Sequence, residues 1–513
     1  MRKRRISLTV ILVISLLAVT AFGSVSVMGA DPKTGMLGAG SGDDSSDKQS
    51  DSDKKSDKSD KSDKSDKSGK KETGSDKADS KDAKTAQKLF EEGVGYMYGT
   101  GKDGFDYDKA EKTLKQAAKA GSADAYAYLG LLAQKSSDDD RYEKAMDYYN
   151  KAIKAGSQLG NFGKGDLYAY GFGVEQDYDK AMKLFKKAVE GGLVEANTGI
   201  GELYMCGGGV KESGKKALEY FKKAAKGSDY WLVNRNKCNL GILYQDGAKG
   251  VDVDYDKAME YYKKAADAGY GSGYANVGAM YDSGLGVEQN AETALKWFKK
   301  GAKAGHSDAV LMVGLYQLFG YGIEQDLEKG FKNIKKAAEL GSDQGFYDTG
   351  YCYYNGYGTE RSYDDALKWY KKAEKCDIFN VYNDLGTMYY YGLGVKYDND
   401  KAFKYFKKAV ESGDIWGYSG LGDCYANGYG TGQDMEEALK TYMNGAIAGN
   451  EYCMYWLGHM YATGEGGVER NYETALEYLN SAVETNQSRS WPYYSQSFIN
   501  QVNGLIDEIT ADQ

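Results

Sequence analysis

The residues through which this 513-residue chain could do chemistry are few: two histidines, six cysteines and some Asp and Ser/Lys spacings. His306 and His459 lie in distant segments. A zinc centre needs several ligands converging, so no metal is expected, and both read as structural or surface histidines. Asp252-x-Asp254-x-Asp256 imitates the start of a calcium loop. The position that needs glycine is Lys257 and the twelfth position is Lys263, so the run reads as a helix cap. A Ser-x-x-Lys spacing occurs at Ser52/Lys55, Ser68/Lys71 and Ser213/Lys216, and Lys33-Thr34-Gly35 stands alone. The first two pairs fall in low-complexity sequence and the third at a helix cap, so all read as chance. No glycine-rich turn ends in Gly-Lys-Ser/Thr, as a phosphate loop would. No nucleophile–base set converges, so neither an enzyme nor a cofactor is expected.

What would position any site is a helical hairpin that recurs from about Ala86 to Asn486. Anchor glycines fall at Gly93, Gly130, Gly165, Gly201, Gly241, Gly278, Gly314, Gly350, Gly386, Gly422 and Gly458, and the last five intervals are all 36 residues. Such a period implies stacked units, which make an elongated surface suited to binding. In the unit Tyr274–Gly305, Val277, Met280 and Tyr281 form one apolar helical stripe, and Gly278 lets a neighbouring helix approach. Gly284 and Gly286 end that helix through left-handed backbone. A cap residue opens the second helix of each unit: Asp106, Asp177, Ser213, Asp254, Asn290, Asp326, Ser362, Asp398, Asp434 and Asn471, with Arg141 the exception. A small residue followed four later by a large ring then recurs, as in Ala181/Phe185 and Ala402/Phe406. That spacing suits knob-in-hole packing between helices.

The pattern L-G-x-x-Y-x-x-G-x-G-V, written in full from Leu385 to Val395, followed by a capped A-x-x-x-(Y/F)-x-x-A helix, resembles the Sel1-like repeat, a relative of the tetratricopeptide repeat. The resemblance covers about four-fifths of the chain. It implies an all-α fold, a right-handed α-solenoid superhelix of stacked antiparallel helix pairs. It also implies a scaffold that mediates protein–protein interaction through a concave face lined by the first helices. Some secreted relatives are linked to β-lactam hydrolysis, and a β-lactamase-like hydrolase stands as the remotest alternative. Others carry a cysteine pair, with seven residues intervening, that joins the end of one unit to the start of the next. Cys206, Cys238, Cys352, Cys376, Cys424 and Cys453 include no such pair, so mostly free, buried thiols are expected. Two copies depart from the pattern. The one around Gly130 has Ser136-Ser137-Asp138-Asp139-Asp140 in place of the glycine turn. The one around Gly241 is lengthened near Trp231 to Lys237 and Ala248 to Val253, and these stretches are expected to bulge from the array.

Residues 1–30 join a basic head, Arg2-Lys3-Arg4-Arg5, to an uncharged, strongly apolar run. This is the pattern of a secretory signal peptide or a retained membrane anchor, with the repeats extracytoplasmic in either case. Residues 31–84 are rich in Ser, Asp and Lys, and a disordered tract is expected, either a tether or a solubilising spacer. The repeat array spans 85–486, and 487–513 read as a capping helix whose apolar face is Phe498, Val502, Leu505, Ile506 and Ile509. The net charge of −9, with both signs interleaved, excludes a basic face and with it nucleic acid as a partner.

By resemblance the inward positions lie six and three before each anchor glycine and one, four and five after it. In early units these include Asp166, Tyr170, Glu195 and Glu202; from Gly314 onward they become rich in rings. The candidate ligand-binding residues are Phe319, Tyr347, Tyr351, Tyr354, Asn355, Asn383, Tyr390, Tyr391, Trp416, Asn427, Tyr452 and Tyr455, with Asn380 and Asp423 interleaved. Tyrosine and tryptophan offer large contact area at low entropic cost, and asparagine can grip a peptide backbone. A protein or peptide ligand is the expected partner. Stacking rings beside Asn and Asp would also serve a cell-wall glycan. The remaining possibility is that these rings only pack helix against helix.

Overall fold

A helix with one apolar stripe must cover that stripe, and here each helix covers it with the next one along the chain. The computed structural model describes residues 74–98, 106–136, 138, 140–227, 230–376, 378, 380–488 and 496–512. The basic–apolar N-terminal segment and most of the Ser/Asp/Lys tract lie outside the described residues. Eleven hairpins follow one another. They are α1 (Gly74–Tyr98) with α2 (Tyr107–Lys119), α3 (Ala123–Gln134) with α4 (Arg141–Lys154), α5 (Gln158–Tyr170) with α6 (Tyr178–Glu190), and α7 (Asn197–Cys206) with α8 (Gly214–Ala224). Next come α9 (Tyr230–Asp246) with α10 (Tyr255–Asp267), α11 (Gly271–Ser283) with α12 (Ala291–Lys303), α13 (Ser307–Phe319) with α14 (Leu327–Glu339), and α15 (Asp343–Asn355) with α16 (Tyr363–Lys375). Last are α17 (Val381–Tyr391) with α18 (Asn399–Ser412), α19 (Gly417–Asn427) with α20 (Met435–Ile447), and α21 (Glu451–Thr463) with α22 (Tyr472–Ser488). A final helix, α23 (Gln496–Asp512), closes the array. Among the described residues no strand forms, only an isolated bridge between Ala248 and Val251. The architecture is an all-α solenoid.

Most anchor glycines are sockets for rings, while Gly93, Gly314 and Gly458 receive Leu114, Ile334 and Leu479. A Cβ on Gly165 would lie 2.6 Å from the Phe185 ring, and one on Gly199, in the next unit, 2.7 Å from the same ring. Phe406 sits likewise between Gly386 and Gly420, and Tyr149 between Gly130 and Gly163. At these places one buried ring plugs its own unit and the following one, and such plugs form part of the core. Capping holds the second helices in place: Asp177, Asp254 and Asn290 each accept the backbone N–H three residues on, at 2.8–3.0 Å. Gly284 and Gly286 adopt φ of +68° and +66°, the left-handed stop that their spacing implied.

The structure differs from expectation at three places. Helix α1 begins at Gly74, so the last part of the tract given as linker is helical. The stretch from Trp231 to Lys237 does not bulge; it adds a turn to α9, a helix of 17 residues. Ala248 to Val251 also packs back, its Lys249 carbonyl accepting the Gly214 N–H at 3.0 Å. The irregular loop of the second unit has a definite partner. Arg141, at the start of α4, donates to Asp343 at the start of α15, in the eighth unit, and its Nη2 also lies 3.0 Å from the Cys376 Sγ. The solenoid therefore returns onto itself between its second and eighth units. At the far end, Phe498, Val502 and Ile509 of α23 are buried, and Gln501 donates to the Tyr455 hydroxyl at 2.8 Å.

Candidate functional site

Three successive first helices, α17, α19 and α21, with one ring from α18, enclose a groove of about 240 Å³. Its lining is Asn383, Thr387, Tyr390, Tyr391, Phe406, Trp416, Ser419, Gly420, Asp423 and Tyr452. Helical periodicity puts these side chains together. Asn383, Thr387, Tyr390 and Tyr391 stand three before and one, four and five after Gly386; Trp416, Ser419 and Asp423 stand six and three before and one after Gly422. Small residues make the hollow. Gly420 leaves its space to the Phe406 ring, and Thr387 and Ser419 turn their hydroxyls onto the carbonyls of Asn383 and Trp416, at 3.0 and 2.8 Å.

Asp423 carries the groove's charge. Its carboxylate accepts the Tyr442 hydroxyl at 2.6 Å and the Tyr452 hydroxyl at 3.5 Å. Burial pushes it up to about 6, against the effect of these two hydroxyls, and no lysine or arginine stands among the groups that act on it. At neutral pH it is mainly ionised. Tyr391 closes one rim and is 66% exposed, its ring set edge-on to Tyr390 at 4.8 Å.

Of the twelve sequence candidates, the groove gathers Asn383, Tyr390, Tyr391, Trp416 and Tyr452. The others lie elsewhere. Tyr347 is buried and stacks on Tyr370 at 5.6 Å. Tyr351 packs on Tyr357, and Tyr354 on Tyr363. Asn355 and Asn427 donate to carbonyls of their own helices. Phe319 joins the packing between neighbouring units, and Tyr455 is buried under α23. The reason is bulk: where rings fill every inward position, they fill the space between helices as well. Thr387 and Ser419 occupy inward offsets too, but neither carries the ring or carboxamide that marked the other candidates.

The early inward acids form no groove. Asp166, Glu202 and Tyr170 surround Arg235, which is 1% exposed. Its Nη1 donates to Asp166 at 2.9 Å, and its Nε and Nη2 to Glu202 at 3.1 and 3.0 Å. Asn239 and the Tyr170 hydroxyl also donate to Glu202. This is a structural ion cluster tying α5, α7 and α9 together. Glu195 is buried as well.

All six cysteines are free, and Cys238, Cys352, Cys424 and Cys453 are buried. Burial pushes the Cys424 thiol up to about 12, which leaves it unreactive. His306 caps α13, its Nδ1 accepting the Ala309 N–H at 3.3 Å, and His459 lies 3.5 Å from Glu465. No cluster of three or more potential metal ligands occurs among the described residues, and no helix there is long and apolar enough to cross a membrane.

The Sel1 repeat family model matches eleven stretches between residues 90 and 484, one for each hairpin. The chain belongs to the Sel1 repeat family. Among solved structures, this Sel1 repeat protein is similar to a protective antigen of uropathogenic Escherichia coli that displays an SLR fold. That match has 25% identity over 85% of this chain and 94% of the other, with a TM-score of 0.47. It is also similar to a Sel1 repeat protein from Oxalobacter formigenes, with 33% identity over 48% of this chain and 96% of that one, TM-score 0.44. An immunity protein from Pseudomonas aeruginosa matches at 20% identity over 43% and 82%, TM-score 0.33. No curated protein matches the chain.

Proposed function

We propose that this Sel1 repeat protein is an exported, non-catalytic scaffold that grips an extended segment of another protein in the groove across its ninth to eleventh units. The observation that carries the reading is the groove itself. About 240 Å³ of open space lies among three tyrosines, a tryptophan and a carboxylate, in an array whose other rings are mostly spent on packing. Rigid rings beside Asn383, Thr387 and Ser419 supply the contact area and the backbone-directed hydrogen bonds that an extended peptide needs. The solenoid holds these groups on regular helices, so little ordering remains to be done on binding. Export rests on the basic head and apolar run of residues 1–30.

The test is crosslinking on intact cells with the wild type, Tyr391→Ala and a groove-filling Ser419→Trp variant. One defined protein should be captured by the wild type and lost in both variants, with helicity unchanged. Equal capture by all three would overturn the groove. Protection of the repeats from protease added to intact cells would overturn export.

A further inference from the structure

Resting on the groove reading above, we infer that the groove selects a cationic side chain, an arginine or lysine of the bound segment, and seats it on Asp423 among the tyrosine rings. Three observations converge. First, Asp423 is a carboxylate in a pocket without a cation. Its hydrogen-bond partners are the Tyr442 and Tyr452 hydroxyls, and among the described residues no lysine, arginine or histidine pairs with it. Hydroxyls satisfy lone pairs and leave the charge uncompensated. Second, Tyr390, Tyr391 and Tyr452 line the groove beside this carboxylate, and burial, followed by the Asp423 charge, pushes their phenols up and keeps them neutral. Neutral ring faces beside a carboxylate favour a guanidinium or ammonium group through both charge and ring quadrupole. Third, many rings elsewhere in the array already carry a cation of the protein: Lys300 lies 4.0 Å from the Trp297 centroid, Lys408 4.0 Å from Tyr382, and Lys371 4.9 Å from Tyr405. Among the described residues no lysine or arginine lies over Tyr390 or Tyr391 at the groove. The local lysine supply that covers other rings stops there, and the partner's side chain is the complement.

The probe is a set of fluorescent seven-residue peptides on one Ala/Ser frame, bearing Arg, Lys, citrulline or Glu at the centre. Fluorescence anisotropy is read on the wild type, Asp423→Asn and Tyr391→Leu. Asp423→Asn keeps an acceptor for Tyr442, and Tyr391→Leu changes an exposed ring, so a folded variant is available for comparison. The Arg and Lys peptides should bind about tenfold or more tighter than citrulline, with Glu weakest. Asp423→Asn should level Arg with citrulline while leaving citrulline unchanged, and Tyr391→Leu should weaken Arg more than citrulline. Arg and citrulline binding equally to the wild type would overturn the cation preference and leave the peptide groove standing. Binding of none of the four peptides would remove both.

Discussion

Arg141 and Asp343 are 202 positions apart in the sequence, and Arg141 Nη2 lies 2.7 Å from Asp343 Oδ1. The Arg141 side chain is 4% exposed, and it also donates to the Ser136 carbonyl and the Tyr142 hydroxyl. Its guanidinium lies over the Tyr142 ring at 4.6 Å and near the Phe346 ring at 5.4 Å. Arg141→Ala removes this ion pair from the Asp343 carboxylate, at a cost of about 3 kcal/mol. The expected outcome is a lower urea midpoint together with a larger radius of gyration in solution scattering. A double-mutant cycle with Asp343→Asn should return a coupling of about 1–3 kcal/mol; additivity would mean that the contact does not hold the turns together.

The ion cluster on Arg235 should be far less forgiving. Arg235→Ala strands Asp166 and Glu202 in the interior, and such a deletion costs about 3–5 kcal/mol. Replacing all three by apolar residues of similar volume should recover most of the loss. Chemical denaturation of the single and triple variants checks this; a single variant as stable as the parent would contradict the burial described.

Sockets make a sharper test of the array. A Cβ on Gly201 would stand 2.5 Å from the Phe221 ring, which is fully buried. Gly201→Ala should cost about 1–3 kcal/mol through overpacking, although alanine is the better helix former. By contrast, Gly413→Ala has nothing within 4 Å, and only its φ of +92° opposes it. Hydrogen exchange should localise the first loss to the fourth and fifth units.

The pH dependence of stability follows from two opposed sets of aspartates. Burial pushes Asp348 and Asp414 up to about 7, and Asp246, Asp282 and Asp384 up to about 6. The folded state holds these protons more tightly than the unfolded chain, so their contribution is complete below the unfolded value, 3.8, and is lost as pH rises through 6 to 7. The backbone N–H three residues on holds the capping Asp106, Asp177 and Asp398 below 3.8. Their contribution is present above that value and lost as pH falls beneath it. The thermal midpoint should therefore be highest near pH 4, fall between about pH 4 and 7 and level off above that. A midpoint that climbs steadily from pH 5 to 8 would contradict this.

The hairpins were legible because their signals are local. A cap such as Asp177 and a stop such as Gly284 act within one turn, and the Gly165 socket was readable from spacing. The groove was half legible. The inward offsets located Asn383, Tyr390, Tyr391, Trp416 and Tyr452, yet the same offsets also pointed to Tyr347, Tyr351 and Tyr354, which pack between helices. Offset gives the side of a helix; only the rise from one unit to the next decides whether that side is open. Arg235 stands at an inward offset too, six before Gly241, and would have flagged the acids around it. The contact of Arg141 with Asp343 was not legible, because it depends on the pitch of the whole superhelix, summed over many small rotations. The departures from the repeat around Gly130 marked its place without naming its partner.

That return contact limits how the chain can change its length. A hairpin inserted or deleted between the second and eighth units would carry Asp343 out of register with Arg141, whereas one added after the eighth would disturb neither. Recombination among these repeated modules should thus be tolerated toward the C-terminal end, where the groove lies, and selected against in the coil before it.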